Sequence, residues 1–430
     1  MRETRQLCIG LSLSATWRKG KSEESAEKQF SSDFYVELAR MAEKARLDFV
    51  FKPDALYLHA EGEEYSPRFA SLDPTVMLAS IARETERIGL VTTASTTFNP
   101  PFVVARQIQS LHWLSNGRAA WNIVTSIDGS ENFTDSPMPS SEERYAKAAE
   151  FTDIVRKLWD SYPYEALAGR APDQAASGKR VASIRHNGEY FSVQGPLNVP
   201  AHPAGTPPLF QAGASDSGRS FAASVADAIF ASTPDMASGI ELRRDLQNRA
   251  QAHGRSPDAV RVLPGLYFFL ADTRSEAQMM YREAHAHLSM ERRLASVRSI
   301  LGLDLEGLPP DRRVTADLLP DPARPVRSRT HADLLRRLIE ERQPTVEELL
   351  SRPEVIGSAH WVAAGTVEDV LQEIVARFEA GAMDGVIALP GGSIRSLELF
   401  LDELVPRLAD RGLFRREYAG TTLREHLGIK

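Results

Sequence analysis

The stretch Glu86-Arg87-Ile88-Gly89-Leu90-Val91-Thr92-Thr93-Ala94-Ser95-Thr96-Thr97 couples an apolar run of strand length to a tail crowded with hydroxyls. Pro100-Pro101 then opens a helical segment that runs through Leu114, Asn116-Gly117 punctuates it, and residues 119–124 read as another buried strand. Strand, crossover helix, strand is the unit from which parallel sheets are built.

The alternation extends both ways. Upstream, Cys8-Ile9-Gly10-Leu11 is a strand, residues 33–39 have helical apolar spacing, Phe49-Val50-Phe51 is a strand, and Pro74 opens a helix carrying Val76, Met77 and Ile81. Downstream, 144–159 is strongly periodic, 209–211 and 228–231 are strands flanking a helix at 217–225, 260–270 is a longer strand, and Val386-Ile387-Ala388-Leu389 is the last. Strands at 8, 49, 89, 120, 209, 229, 262 and 386, each followed by helix or helical insertion, predict an α/β fold: a TIM-like (β/α)8 barrel. An open doubly wound sheet is the rival. Residues 1–430 then form a single domain with insertions at about 163–208 and 271–360. The first carries a hairpin-like segment at 185–191, and the second is helical and charged, with a Pro-rich excursion at 319–325.

Composition excludes several functions. A chain of 430 residues with 42% hydrophobic and 25% charged residues can bury a large core. Lys plus Arg number 51 against 58 Asp plus Glu, and the net charge of −7 argues against a nucleic-acid footprint. No segment approaches the roughly 20 apolar residues of a membrane span, so no membrane partner is expected. Arg2 and Arg5 before LCIGLSLSA imitate a signal peptide, but the run is short, and Trp17-Arg18-Lys19 follow where a cleavage zone needs small residues. A lone Cys8 makes no internal disulfide, and the expected location is a reducing cytoplasm.

In such a barrel, chemistry sits where strands end. There the chain offers Lys52-Pro53-Asp54, the Thr92–Thr97 tail, Thr125-Ser126 and Ala212-Gly213-Ala214-Ser215. Residues 211–219 have the shape of an anion site: Gly213 allows close backbone approach, Ser215 caps a helix, and the helix N-terminus favours negative charge. Asp216 is an imperfection unless it points away. Arg144 and Tyr145 either contact the same anion or merely cap a surface helix. Lys52 either hydrogen-bonds a ligand or is a solvated or salt-bridged lysine. His285 and His287, two apart in a helical stretch, face different directions, and no metal site is expected. Neither a nucleophile elbow nor a Walker loop is present. No catalytic residue is assigned; a bound organic cofactor is expected to carry the reaction.

The segments 86–97 and 115–126 resemble the bacterial-luciferase-like flavin monooxygenases, in the nitrilotriacetate and dibenzothiophene-sulfone monooxygenase branch. Arg144-Tyr145, Glu150-Phe151, Gly195-Pro196-Leu197-Asn198-Val199-Pro200, Arg411-Gly412-Leu413-Phe414 and Leu423 through Gly428 extend the similarity to the C-terminus. The resemblance implies an enzyme that receives reduced FMN from a separate NAD(P)H:flavin reductase, reacts it with O2 and oxygenates a small organic substrate through a C4a-peroxyflavin. It implies FMN contacts at Asp54, Ser95, Asn122, Ser141, Tyr145 and Ser215, with Tyr145 and Ser215 near the phosphate. It also implies a homo-oligomer and a cis bond between Ala94 and Ser95. Substrate selection would fall to Trp17, Leu56, Tyr57 and the 271–360 insertion acting as a lid. Ser141 stands where this branch often has histidine, Ser14-Ala15-Thr16 precede Trp17 where a histidine is common, and Lys52-Pro53 precede Asp54 where a small residue is usual. The alternatives are a deazaflavin- or nicotinamide-dependent dehydrogenase on the same barrel and a non-catalytic flavin-binding protein.

Overall fold

A computed structural model describes residues 5–14, 27, 30–58, 70–167, 180–213, 215–286, 288–324, 326, 328–356 and 359–429. Its main elements are β1 (Cys8–Ser12), α1 (Ser32–Lys44), β2 (Phe49–Lys52), α2 (Pro74–Glu84), β3 (Gly89–Ser95), α3 (Pro101–Leu114), β4 (Ala119–Val124) and α4 (Ser141–Asp160). Then come β5 (Leu209–Ala212), α5 (Asp216–Val225), β6 (Ala228–Ala231), α6 (Met236–Ala252), β7 (Arg261–Leu270), α7 (Arg274–Ala284), α8 (Met290–Leu301), α9 (Arg329–Arg342), β8 (Trp361–Gly365), α10 (Val367–Glu379) and β9 (Gly385–Pro390).

All eight expected strands are present. β1 through β7 pair in parallel in chain order, and β9 closes the ring against β7 and β1. The rival open sheet is excluded by that closure. β8 is an addition the sequence reading missed. The ten-residue β7 is long enough for two partners on one side: β6 pairs with Arg261 through Pro264, and β8 with Leu266 through Leu270.

Strand periodicity sorts the core. Cys8, Phe49, Phe51, Val91, Ala120, Phe210, Ala228, Leu263, Ile387 and Leu389 point inward and fill the barrel. Their alternate neighbours, such as Ile9, Leu11, Val50 and Leu90, pack against the helices. Gly10 has no side chain for a reason: a Cβ there would lie 2.1 Å from the Phe49 ring. Leu423 and Leu427 of the C-terminal segment join the interior cluster and plug the end where strands begin. Arg118 serves this end too. It is 2% exposed and donates to the carbonyls of Ala82, Thr85, Ile88 and Ser115 and to the Thr85 hydroxyl.

The hairpin expected near 185–191 exists as two short antiparallel strands, His186–Asn187 and Ser192–Val193. Glu150 on α4 holds it, accepting from His186 Nε2 at 2.9 Å and from the backbone N–H groups of Tyr190 and Phe191 at 3.0 Å. The 271–360 insertion has an apolar cluster of its own, built on Val297, Leu301, Leu335, Ile339 and Leu349. Among the described residues, no helix is long and apolar enough to cross a membrane.

Candidate active site

Strands β3 and β4 run side by side with Thr93 opposite Asn122 and Ser95 opposite Val124, which puts the three polar side chains on the inner face of the mouth. Thr93 donates its single hydroxyl proton to the Lys52 carbonyl at 2.7 Å, so its oxygen accepts from Asn122 Nδ2 at 3.0 Å. That assignment leaves Asn122 Oδ1 an acceptor, buried and without a donor among the described residues. Ser95 Oγ lies 2.8 Å from Ser126 Oγ and accepts from the Thr97 N–H at 3.2 Å. Ser126 has a φ of 45°, a left-handed conformation uncommon for a non-glycine residue and a frequent mark of a constrained site.

Thr125 links this group to a second one. The phenol of Tyr145 is hydrogen-bonded to the hydroxyls of Thr125 and Ser215, and burial pushes it up, so it stays protonated. Gln211 Nε2 donates to it at 3.3 Å, and Gln211 Oε1 is buried without a donor among the described residues. Two glycines wrap the phenol oxygen: a Cβ at Gly213 or at Gly218 would each lie 2.7 Å from it. Gly213 also has a φ of 136°, which side chains rarely tolerate. Ser215 caps α5, accepting from the Gly218 N–H at 3.3 Å.

Asp216 points away from the start of α5. Its side chain is 86% exposed and pairs with Arg249 at 2.6 Å, away from the cap. Arg219 is engaged by Glu241 and Asp245. Arg144 donates to the Pro139 carbonyl and keeps a buried Nε without a partner among the described residues.

Ser95, Tyr145 and Ser215 are thus joined through Thr125-Ser126, with Asn122 bonded to Thr93 beside them. Ser141 is one helical turn before Tyr145, on the same face of α4, and makes no side-chain hydrogen bond among the described residues. Asp54 is half-buried beyond β2 with its pKa raised, first by burial and further by Asp73, while the Ala55 N–H and Lys52 oppose. Lys52 departs from both of its readings. It is 4% exposed, and its Nζ lies 5.4 Å from the Tyr35 ring centroid on α1, in the layer between strands and helices. The period of two in β2 sends Phe51 inward and Lys52 outward.

The expected cis bond is a second correction. Ala94–Ser95 is trans; β3 keeps regular pairing through Ala94 and Ser95, and the cis bond among the described residues is Gly195–Pro196. Ser14 Oγ sits 2.8 Å from Ser12 Oγ at the end of β1, and Trp17 lies outside the described residues. The loop after β2 is clasped by Asn132, which donates to the Leu56 carbonyl at 2.9 Å.

The sequence reading missed the other side of the mouth. Phe230 meets Phe51 edge-on at 5.3 Å and stacks on His360 at 5.1 Å. Tyr267 meets Phe269 at 4.8 Å, and Tyr281 and His285 of the insertion pack against them. Period-two alternation along β7 puts Tyr267 and Phe269 on one face, a signal the sequence carries; nothing local indicates what covers them. Two grooves of about 780 and 750 Å³ lie away from this wall, between α1 and α2 and beside the start of α3.

The profile of the luciferase-like monooxygenases matches residues 11–384. N-acetyl-S-(2-succino)cysteine monooxygenase of Bacillus subtilis is 34% identical over 99% of this chain and 97% of its own length. Nitrilotriacetate monooxygenase component A of Aminobacter aminovorans is 35% identical over 94% and 92%. The solved structure of a riboflavin lyase with modified FMN and riboflavin superposes with a TM-score of 0.81 at 30% identity, covering 98% of this chain and 96% of that one. With the closed barrel and its polar rim in place, these likenesses show that the chain belongs to the luciferase-like monooxygenases and is an enzyme of the oxidoreductase class.

Proposed function

We propose that this chain is the oxygenase of a two-component system, taking reduced FMN from a separate NAD(P)H:flavin reductase and using O2 to oxygenate a small organic substrate. The carrying observation is the cradle of Gly213 and Gly218 around the Tyr145 phenol, next to the capped start of α5. A phosphate fits there: the helix start supplies N–H groups and a favourable dipole, Ser215 and Tyr145 supply hydroxyls, and Arg144 has a donor to give. Deeper in, the buried acceptor Asn122 Oδ1 suits an N–H or hydroxyl donor of an isoalloxazine or its ribityl chain, while Gln211 Oε1 lies with the Tyr145 group at the rim. When bound, reduced FMN supplies the two electrons that let one atom of O2 enter the substrate while the other leaves as water.

The chain's own task is then to bind, orient and keep water out. Ser95, Asn122, Tyr145 and Ser215 hold the nucleotide in this reading; Asp54 and Ser141 flank it from the loop after β2 and the first turn of α4. The Tyr267, Phe269, Tyr281 and His285 wall, with the 271–360 insertion behind it, keeps the reacting end dry. The relatives' names support oxygenation. Homo-oligomerisation and a cytoplasmic location belong to the same reading.

Anaerobic titration with reduced and oxidised FMN tests it. Binding of the reduced form, and O2 uptake that requires both a flavin reductase and NAD(P)H, are expected. Failure to bind either form refutes the proposal. Anaerobic hydride transfer without O2 uptake would favour the dehydrogenase alternative.

A further inference from the structure

His360 immediately precedes β8, yet its imidazole lies inside the barrel. The inward position at Gly265 has no side chain, and a Cβ there would be 2.5 Å from His360 Nδ1 and 2.9 Å from both His360 Cγ and Leu389 Cδ1. The ring fills that space, stacked on Phe230 with an interplanar angle of 21°. Nδ1 is sealed from solvent and has no partner among the described residues, whereas the residue as a whole is only half-buried. A buried N–H without an acceptor costs more than a buried lone pair without a donor, so the proton belongs on Nε2. Burial also lowers the pKa of the imidazole to about 3, with His331 on α9 acting in the same direction.

We propose that His360 is a specificity-determining residue for the oxygenation reaction: a neutral imidazole, built into the barrel wall, whose Nε2–H reads an acceptor oxygen on the organic substrate. The inference rests on the oxygenase reading. It selects substrates bearing a carboxylate, sulfone or amide carbonyl next to the apolar part that the aromatic wall encloses. Three features set this geometry: the missing side chain at Gly265, the Phe230 stack and the register of β8 on β7.

The test is nitrogen NMR on the full-length chain labelled at histidine, with oxidised FMN present, the His360 signal being assigned by its loss in His360→Gln. The expected result is a neutral Nε2–H imidazole that does not titrate between about pH 5 and pH 8. Its Nε2 signal should move on addition of at least one of nitrilotriacetate, N-acetyl-S-(2-succino)cysteine or dibenzothiophene sulfone, and not with dibenzothiophene itself. His360→Phe keeps a ring on Phe230 and removes both nitrogens; it should keep FMN affinity within about twofold and raise KM for a responding probe about tenfold with kcat little changed. An Nδ1–H tautomer, titration near the ordinary histidine value, silence to all three probes, or a response to FMN alone would each overturn the proposal. Loss of FMN binding in the unaltered chain would instead count against the oxygenase reading.

Discussion

On the β3, β4 and β5 side of the mouth, Thr93, Ser95, Asn122, Ser126, Tyr145 and Ser215 form a hydrogen-bonded web. On the β6 and β7 side, Phe230 stacks on His360, and Tyr267, Phe269, Tyr281 and His285 meet ring against ring. The first side keeps acceptors in reserve, since Asn122 Oδ1 and Gln211 Oε1 have no donor among the described residues. The second is bound mainly by area and ring geometry, each ring pair adding about 0.5–1.5 kcal/mol beyond burial. A side with buried acceptors left open and a side of rings packed on one another, with His360 as its polar point, suit different work: gripping a nucleotide on the first, enclosing and reading a substrate on the second.

Substitutions can break or sharpen this contrast. The largest effect is expected at Gly213, where valine drives a branched side chain into the Tyr145 phenol from a left-handed backbone. FMN affinity should fall about 100-fold by anaerobic titration, with the melting curve recorded alongside to exclude unfolding. Ser215→Asp comes next. Aspartate caps a helix as well as serine, so α5 persists, while a charge placed against the phosphate should weaken binding about 30-fold. Unchanged affinity removes Ser215 from the site.

Asn122→Leu replaces the reserved acceptor with a side chain of similar size and should cost about tenfold in FMN affinity. On the opposite side, Phe230→Leu should lower stability by about 1–2 kcal/mol in urea melts yet leave FMN affinity within about twofold. A large loss of affinity there would erase the distinction between the two sides.

The smallest effect concerns Asp54. Its carboxyl has a raised pKa, mainly because of burial, so the folded state binds the proton more tightly than the unfolded chain does. Its contribution to stability is therefore fully present below the ordinary value of 3.8 and lost as pH rises through the raised one. Asp54→Asn should raise the Tm of the flavin-free protein by about 2 °C near about pH 7.5, and the gain should vanish below about pH 3.5. A gain that persists in acid sinks this account.

The polar side was legible in the sequence because each of its parts is local. Thr92-Thr93-Ala94-Ser95 follows an apolar strand directly, and Gly213 with Ser215 is a turn followed by a cap. Lys52 shows where such reading fails: adjacency to Asp54 suggested the mouth, but the strand's alternation turned it toward Tyr35. Arg118 teaches the converse, being quoted in the family likeness yet committed to carbonyls at the far end of the barrel.

From composition and periodicity alone, the chain specified eight strands, their helices and the residues that end them, because alternation in strands and capping at helix starts are governed by near neighbours. Only the tertiary structure decided that β8 joins β7, that Asp216 turns outward to Arg249, and that His360 enters the space Gly265 leaves open. Those outcomes join residues 33 to 95 positions apart. Burial and ring packing select such pairings in three dimensions, and no short window of sequence contains both partners.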